Sequence, residues 1–266
     1  MRGKIRDVAD EDGYFGKTVA ATYDESESEM FDAEVVEATV DFLADLAEGG
    51  RALELGIGTG RIALPLAGRG IDVHGIDLSR AMVERLKAKP GGEQIPVAIG
   101  DFSTTRVEGT FRLAYLVFNT IMNLTSQAAQ VACFGNVARH LEPGGRFVIE
   151  VGVPDLRRLP PGERYVVFEA GETHWGVDEY DIVNQGLVSH HFEKRNSDDP
   201  ADTFRKSSGP FRYVWPSELD LMAGMAGLEI RERWSGWRRE PFTSESRSHV
   251  SVWQKPGPLS RSGDED

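Results

Sequence analysis

Residues 53–61 read Leu-Glu-Leu-Gly-Ile-Gly-Thr-Gly-Arg, and they are the most informative part of the sequence for the fold. The apolar residues 52–55 predict a short buried strand, and residues 61–68 predict a helix after the glycines. Glycines let the backbone turn tightly and approach a ligand closely, at a helix N-terminus whose amides favour an anion. Asp77 follows Gly58 by about 20 residues, at the end of the next predicted strand, where a carboxylate can accept both hydroxyls of a ribose. The stretch therefore predicts a nucleotide-binding α/β fold.

The sequence around this motif alternates short apolar runs with helical patterns. Predicted strands cover residues 72–76, 97–99, 113–118 and 146–151, and predicted helices cover residues 31–46, 79–89 and 127–140. Ser79 is a suitable N-cap for the second of these helices. Residues 142–145, Glu-Pro-Gly-Gly, predict a turn before the fifth strand. The βαβ rhythm predicts a parallel sheet with helices on both faces.

The pattern changes after Pro154. Residues 165–170, 173–181, 187–193 and 204–213 hold aromatic and β-branched residues between glycine or polar turns, which predicts an antiparallel sheet. A helix at 216–227 and strands at 228–234 and 249–254 are predicted to follow. We therefore expect an N-terminal arm or lid (1–30), a core (31–154 and 215–255), an antiparallel β insert (155–214) and a disordered tail (256–266).

Composition excludes several classes of protein. The chain has 266 residues with 30 basic and 43 acidic side chains, a net charge of −13, which disfavours nucleic acid as a partner. Its one cysteine, Cys133, allows no intramolecular disulfide and no cysteine-based zinc site, and we expect no metal. No apolar run is long enough to span a membrane, and residues 1–13 lack the apolar segment of a secretory signal. We expect a cytoplasmic protein.

The glycine motif also has a family resemblance. The spacing of Gly56, Gly58 and Gly60 after an acidic residue resembles motif I of the class I S-adenosylmethionine-dependent methyltransferases. Residues 75–79 (Gly-Ile-Asp-Leu-Ser) resemble the family's second-strand motif, and residues 100–102 (Gly-Asp-Phe) resemble its third. Residues 118–120 (Phe-Asn-Thr) resemble the fourth motif, and residues 141–146 (Leu-Glu-Pro-Gly-Gly-Arg) resemble the turn into the fifth strand. Together the motifs cover residues 50–152.

This resemblance implies a Rossmann-like, seven-stranded, mostly parallel sheet whose last strand is antiparallel, with the antiparallel β insert covering the active site. It implies S-adenosylmethionine as cofactor and S-adenosylhomocysteine as product. Residues 20–24, Ala-Ala-Thr-Tyr-Asp, resemble the N-terminal arm of small-molecule methyltransferases, including glycine and sugar-amine N-methyltransferases. In those enzymes the arm folds over the cofactor, and its tyrosine approaches the methionyl group.

The resemblance also implies a set of cofactor-binding residues. The methionyl carboxylate is expected to meet Arg61 or the amides of the glycine loop, and the acid of the third motif is expected to meet the adenine amino group. Met82 lies at a spacing that suits a core residue equally well. The expected cofactor-binding residues are Tyr23, Glu54, Gly56, Gly58, Thr59, Arg61, Asp77, Leu78, Met82, Asp101, Phe102 and Phe118.

The methyl acceptor needs a free lone pair, and therefore a group that removes its proton. Our candidates are His191, His190 and Glu150, with His174 as a further histidine. Because neighbouring residues of a strand face opposite sides, one of His190 and His191 is expected to face the site; a packing or surface role for both is the alternative. The candidate substrate-binding residues are Asn119, Asn123, Trp175, Tyr180 and Trp215, although the aromatic residues also suit a small core beneath the insert.

Several functions remain open at this stage. We predict methyl transfer to an N or O atom of a small molecule, such as a natural product or an amine, by a monomer or homodimer without a membrane or nucleic-acid partner. The alternatives are a protein or nucleic-acid methyltransferase, a non-catalytic cofactor-binding module and a nicotinamide oxidoreductase. The acidic charge and the sequence Phe-Asn-Thr-Ile at 118–121 disfavour nucleic acid, and the glycine spacing disfavours a dehydrogenase.

Overall fold

The computed structural model describes residues 13–25, 29–195 and 204–257. Its helices are α1 (Lys17–Thr22), α2 (Ala33–Ala47), α3 (Ala63–Gly68), α4 (Arg80–Lys87), α5 (Gln127–His140) and α6 (Pro216–Met225). Its strands are β1 (Ala52–Leu55), β2 (Val73–Asp77), β3 (Val97–Ile99), β4 (Phe111–Leu116), β5 (Leu141–Gly152), β6 (Tyr165–Ala170), β7 (His174–Asp181), β8 (Gly186–Lys194), β9 (Phe204–Arg212), β10 (Glu229–Trp234) and β11 (Ser248–Gln254). Residues 1–12 and 26–28 of the predicted arm, residues 196–203 of the predicted insert and the predicted tail from residue 258 lie outside the described residues.

Two sheets organise the molecule. The larger has seven strands in the order β10-β11-β5-β4-β1-β2-β3, with parallel pairing from β5 to β3. Strand β11 is antiparallel to both β5 and β10, so the last strand is the reversed one. The smaller sheet is antiparallel throughout, in the order β6-β7-β8-β9. This architecture confirms the predicted Rossmann-like sheet and its antiparallel β insert.

The central strand β4 shows why the large sheet is covered on both faces. Leu113 and Tyr115 join the apolar cluster under α2 and α3, whereas Ala114 and Leu116 join the cluster under α5 and α6. Successive side chains of a strand face opposite sides, so a strand buried on both faces is a nearly continuous apolar run. Trp253 of β11 is fully buried in the second cluster.

Most element boundaries lie within two residues of the sequence prediction, and two of the differences have a local cause. Residues 142–145, predicted as a turn before the fifth strand, lie within β5 as an irregularity: none of them pairs with β4 or β11, and the register against β4 shifts between Phe111 and Leu113. Gly144 adopts the left-handed φ of 82° within this irregularity. Helix α3 begins at Ala63 instead of residue 61, because the glycine loop extends further along the chain. The predicted N-cap of α4 is confirmed, since Ser79 Oγ accepts the amide of Met82.

Arg212, at the end of β9, fastens the insert to the core. Its guanidinium donates to the side chain of Gln130 on α5, to Gln185 Oε1 at 2.9 Å and to Glu218 Oε1 on α6 at 2.8 Å. Arg212 is 4% exposed. A buried guanidinium is tolerated only when its donors are satisfied, so this cluster fixes where β9 leaves the insert.

Among the described residues, no helix is both long and apolar enough to cross a membrane.

A buried carboxyl group lies in the core behind the glycine loop. Glu54 is 3% exposed, and its Oε2 accepts the hydroxyl of the fully buried Tyr115 at 2.9 Å. Burial raises the pKa of Glu54 to about 8. The folded protein therefore keeps a proton that the unfolded chain releases at lower pH, and stability is lost as the pH rises towards 8.

We therefore predict that Glu54→Gln removes this loss, because the amide stays neutral at every pH. From pH ~6 to ~8 the unfolding free energy of the wild type should fall relative to that of the variant by on the order of 2 kcal/mol. Urea unfolding across this range gives the unfolding free energy of both proteins. Subtracting one pH profile from the other removes the contribution of all other titrating groups. Parallel pH profiles would show that Glu54 is ionised in the fold.

Candidate active site

Two adjoining cavities open at the carboxyl ends of the parallel strands, the edge where α/β sheets bind ligands. The first has a volume of about 320 Å³ and lies over the glycine loop. The second has a volume of about 630 Å³ and lies beneath the insert. Both are lined by Tyr14, Phe15, Tyr23, Thr120, Asn123 and Phe211. The site is therefore one space with two chambers, which we call the loop chamber and the insert chamber.

The floor of the loop chamber is set by Asp77. Its Oδ2 accepts the amide of Gly58 at 2.7 Å, and its Oδ1 accepts the amide of Ser79 at 2.8 Å. Gly56 has φ 72°, and a Cβ there would lie 2.6 Å from Thr120 Cγ2. The motif therefore needs glycine for both conformation and space. Two oxygens of one carboxylate at the chamber floor suit the two hydroxyls of a ribose.

The outer wall of the loop chamber is an apolar slot with a carboxylate beside it. Leu78, Met82 and Phe102 line the chamber, and Leu78 is 48% exposed there. Asp101 also lines it, with its Oδ1 fixed by the amide of Ser103 at 2.7 Å. Flat apolar walls with one acceptor suit an adenine ring and its amino group. Met82 also packs against Ala20 and Ala81, so it serves both as core and as wall.

The residues of the arm form the roof of the loop chamber. Tyr23 lines both chambers, and burial is the main reason that its pKa is raised, which keeps its hydroxyl protonated. Tyr14 and Phe15, which were not predicted from the sequence, line both chambers too. The signal for them was a pair of aromatic residues in an otherwise polar arm.

The side chains of three residues expected to bind the cofactor contact other parts of the protein, and their part in binding stays a prediction. Thr59 is 1% exposed and donates to Asp24, and Arg61 donates to the carbonyl of Met30 at 2.7 Å. The carboxyl group of Glu54 lies behind the loop, against Tyr115. None of the three lines either chamber as the described part of the chain forms them.

Polar contacts anchor the arm to the core. Asp24 Oδ1 accepts the hydroxyl of Thr59 at 2.5 Å, and Asp24 Oδ2 lies 2.8 Å from Lys89 Nζ. Ser79 Oγ donates to the carbonyl of Phe15 at 2.7 Å. We call Asp24, Thr59 and Lys89 the arm anchor. It ties the arm to the same loop that forms the loop chamber.

The insert chamber is lined by one face of the insert sheet and by the loop after β4. His191 and Tyr180 line it, together with Phe118, Asn119 and Asn123. His190 faces the opposite side, where its Nδ1 lies 2.7 Å from Ser208 Oγ. Trp175 is on that opposite face as well, with its ring 5.3 Å from that of Phe204, and Trp215 lines neither chamber in the described structure. One histidine of the pair therefore faces the site, as expected.

Glu150 shapes the site without lining it. Its Oε2 accepts the amide of Phe118 at 2.8 Å, and its Oε1 accepts Trp237 Nε1 at 2.9 Å. Burial raises the pKa of Glu150. Phe118 and Asn119 have φ of 49° and 60°, a strained turn that Glu150 holds in place. Asn119 Oδ1 completes this turn by accepting the amide of Gly152 at 2.7 Å.

Aromatic rings and carboxylates dominate the insert chamber. Asp155 and Asp178 line it, and no lysine or arginine does so among the described residues. Burial raises the pKa of Asp178, which accepts the hydroxyl of Ser189. In the same part of the chain, no three His, Cys, Asp or Glu side chains are grouped to hold a metal ion. The aromatic rings and the two carboxyl groups of the insert chamber favour a ligand with an apolar body and a cationic group.

The arm anchor generates a prediction. Asp24→Ala removes the partner of both Thr59 and Lys89, so amide hydrogen exchange in residues 13–25 should become about tenfold faster. Asp41→Ala is the matched control, because it removes an exposed ion pair with Arg69 away from the arm. Mass spectrometry of exchange measures both variants. Equal exchange in the two variants would show that the anchor does not hold the arm.

Comparisons with known proteins give the family. A family model described as a methyltransferase domain matches residues 52–145. The cypemycin N-terminal methyltransferase of a Streptomyces species is 26% identical over 211 residues, 78% of this chain and 84% of that protein. The structure of the CcbJ methyltransferase from Streptomyces caelestis is 33% identical, with a TM-score of 0.81, and the match covers 93% of this chain and 100% of that one. CalS10, an amino pentose methyltransferase from Micromonospora echinaspora solved with S-adenosylmethionine bound, has the same fold at 23% identity, a TM-score of 0.62 and coverage of 92% and 99%.

The geometry of the loop chamber fits the cofactor of these proteins. Asp77, expected to hold the ribose, and Leu78, Asp101 and Phe102, expected to hold the adenine, all line this chamber. When bound, the cofactor supplies an activated methyl group and leaves as S-adenosylhomocysteine. This chain belongs to the class I S-adenosylmethionine-dependent methyltransferases, and S-adenosylmethionine is its methyl donor.

Proposed function

We propose that this enzyme transfers a methyl group to a nitrogen or oxygen atom of a small molecule, and that an amine is the preferred acceptor. The insert chamber carries this proposal. It adjoins the loop chamber, has a volume of about 630 Å³ and is covered by the insert and the arm. A space of this size suits a small molecule better than a folded polymer.

The charge of the insert chamber supports an amine. Asp155 and Asp178 supply carboxyl groups beside several aromatic rings, which together attract an ammonium group through ion pairing and cation–π contact. The names of two similar proteins point in the same direction, since one refers to the N-terminus of cypemycin and the other to an amino pentose. A hydroxyl acceptor is the second candidate, because His191 could also take its proton.

For methyl transfer, the protein must align the acceptor with the methyl donor, exclude water and remove a proton from the acceptor. Tyr14, Phe15 and Tyr23 cover the junction of the two chambers and exclude water from it. Burial and the neighbouring His174 lower the pKa of His191, so its imidazole is neutral near pH 7 and accepts a proton. An ammonium acceptor gives its proton to this base and then attacks through the freed lone pair.

Cofactor binding tests the loop chamber. Asp77→Ala should weaken the binding of S-adenosylmethionine and S-adenosylhomocysteine by roughly 30- to 100-fold, because the ribose hydroxyls lose their charged acceptor. Asp72→Ala is the matched control: it changes a carboxylate five residues earlier, which is exposed and paired with Arg51. Calorimetry measures both variants, with NADH as a ligand that should not bind. An unchanged affinity in Asp77→Ala would place the cofactor elsewhere.

Acceptor preference tests the insert chamber. We expect methyl transfer to apolar amines and weaker transfer to their hydroxyl isosteres, measured with a methyl-labelled cofactor. Asp178→Asn should raise KM for amines about tenfold and leave KM for the hydroxyl compounds nearly unchanged, because only the amine loses an ion pair. Glu179→Gln, on the opposite face of β7, is the control. Methylation of RNA or protein, with none of small molecules, would contradict the proposal.

A further inference from the structure

A chain of hydrogen-bonding side chains leads from the insert chamber to the surface. His191 Nδ1 lies 3.1 Å from His174 Nε2, and the two ring planes are only 21° apart. His174 Nδ1 lies 2.9 Å from a carboxylate oxygen of Glu169. The Glu169 side chain is 51% exposed and that of His174 is 26% exposed, so the chain ends at solvent.

The geometry selects one arrangement of protons. A carboxylate accepts, so His174 Nδ1 carries a hydrogen and donates it to Glu169. His174 Nε2 is then an acceptor, and it accepts from His191 Nδ1. This leaves the lone pair on His191 Nε2, which has no hydrogen-bond partner within the described residues. The base therefore has its basic nitrogen available in the insert chamber.

Packing holds the ring of His191 in this orientation. The Phe168 ring lies 5.5 Å from the His191 ring at an interplanar angle of 68°. Gly176, directly opposite His191 in the neighbouring strand, leaves the space that Phe168 occupies, since a Cβ there would lie 2.1 Å from that ring. Two contacts therefore hold the His191 ring in place, a hydrogen bond with His174 and an aromatic contact with Phe168.

We propose that His174 and Glu169 are positioning residues for His191, and that the chain Glu169–His174–His191 fixes the proton acceptor of the methyl-transfer reaction. The proposal rests on the proposed function. The acceptor's N–H proton moves to His191 Nε2. The Nδ1 proton of His191 can then pass to His174 Nε2, and the Nδ1 proton of His174 to the Glu169 carboxylate and on to water. The carbon–sulfur bond of the donor breaks as the carbon–nitrogen bond forms.

Other charged groups also act on His191. On its own strand, Glu193 favours its protonation and His190 opposes it, and on the neighbouring strands Glu169 favours it and His174 opposes it. The insert chamber adds Asp155, Asp178 and the hydroxyls of Tyr14, Tyr23, Tyr180 and Tyr213. The experiment therefore compares variants that alter only one link of the chain.

The first measurement needs no acceptor. Nitrogen NMR of the full chain, labelled in its histidines and saturated with S-adenosylhomocysteine, reports which ring nitrogens carry hydrogen. We expect the Nδ1–H form for both His174 and His191. In His174→Phe, which keeps a ring but removes the nitrogen partner, His191 should lose this preference. Detection of His191 as the Nε2–H form in the wild type would overturn the proposal.

The charge of Glu169 gives a second readout in the same spectra. Glu169→Gln should lower the titration midpoint of His191 by about half a pH unit, because a nearby negative charge is lost. Glu172→Gln, an exposed change in the turn between β6 and β7, is the control and should leave the midpoint in place. An identical midpoint in all three proteins would overturn the link between Glu169 and His191.

Turnover of an apolar amine is the third readout. His174→Phe should lower kcat about 10- to 100-fold and leave KM within about twofold, as for other residues that orient a catalytic histidine. Glu169→Gln should shift the rising limb of the pH profile to lower pH, and Glu169→Asp should restore it. A raised KM with unchanged kcat would overturn the positioning role. No methyl transfer by the wild type would instead overturn the proposed function. The NMR spectra would in that case still test the hydrogen bonds that link Glu169, His174 and His191.

Discussion

The carboxylate of Asp77 holds together the segments on which this site depends. It accepts the amides of Gly58 and Ser79, which joins the glycine loop to the start of α4. Ser79 then caps α4 and holds the carbonyl of Phe15, while Thr59, next to Gly58, holds Asp24. Residues that line the loop chamber and residues of the arm are thus parts of one hydrogen-bonded network.

The insert that covers the insert chamber is attached to the core at a separate place. Arg212 binds Gln130, Gln185 and Glu218 in a buried cluster at the junction of insert and core, far along the chain from the glycine motif. Because a buried guanidinium must keep all its partners, this junction is fixed whatever side chains the insert presents to the chamber. In the proposed function, the face of the insert sheet that lines the insert chamber determines which acceptor binds.

The sequence predicts most of this fold because its signals are local. The bounds of β1, β3, β6 and α5 agree with the prediction to the residue, since apolar runs and glycine turns mark them directly. The turn expected at 142–145 lies within β5 as an irregularity, because Leu141 and Arg146 pair with β4 while the four residues between them pair with neither β4 nor β11. Pairing on both sides of this turn extends the strand across it.

The site was less predictable, because a motif shows which residue is present but not which way it faces. Glu54 and Glu150 are acidic residues near the carboxyl ends of their strands, where ligands bind. However, their carboxyl groups accept hydrogen bonds from Tyr115 and Trp237. Alternation along β8 predicts that one histidine faces the chamber, but choosing His191 requires the register of the insert sheet. The same parity places Trp175 on the opposite face. Partners that lie far apart in sequence decided each of these roles.

Binding an amine and activating it make opposite demands on a protein. A carboxylate near the nitrogen strengthens binding of the ammonium form but makes its proton harder to remove. In the proposed function, the two tasks fall on different side chains of one sheet face: Asp178 opposes Ser189 in the register, and His191 lies two residues further along β8. That spacing separates them by about 6 to 7 Å along the strand. In the proposed function, the ammonium group of the acceptor is held within reach of a neutral imidazole, and the proton that it gives up leaves through His174 towards the carboxylate of Glu169.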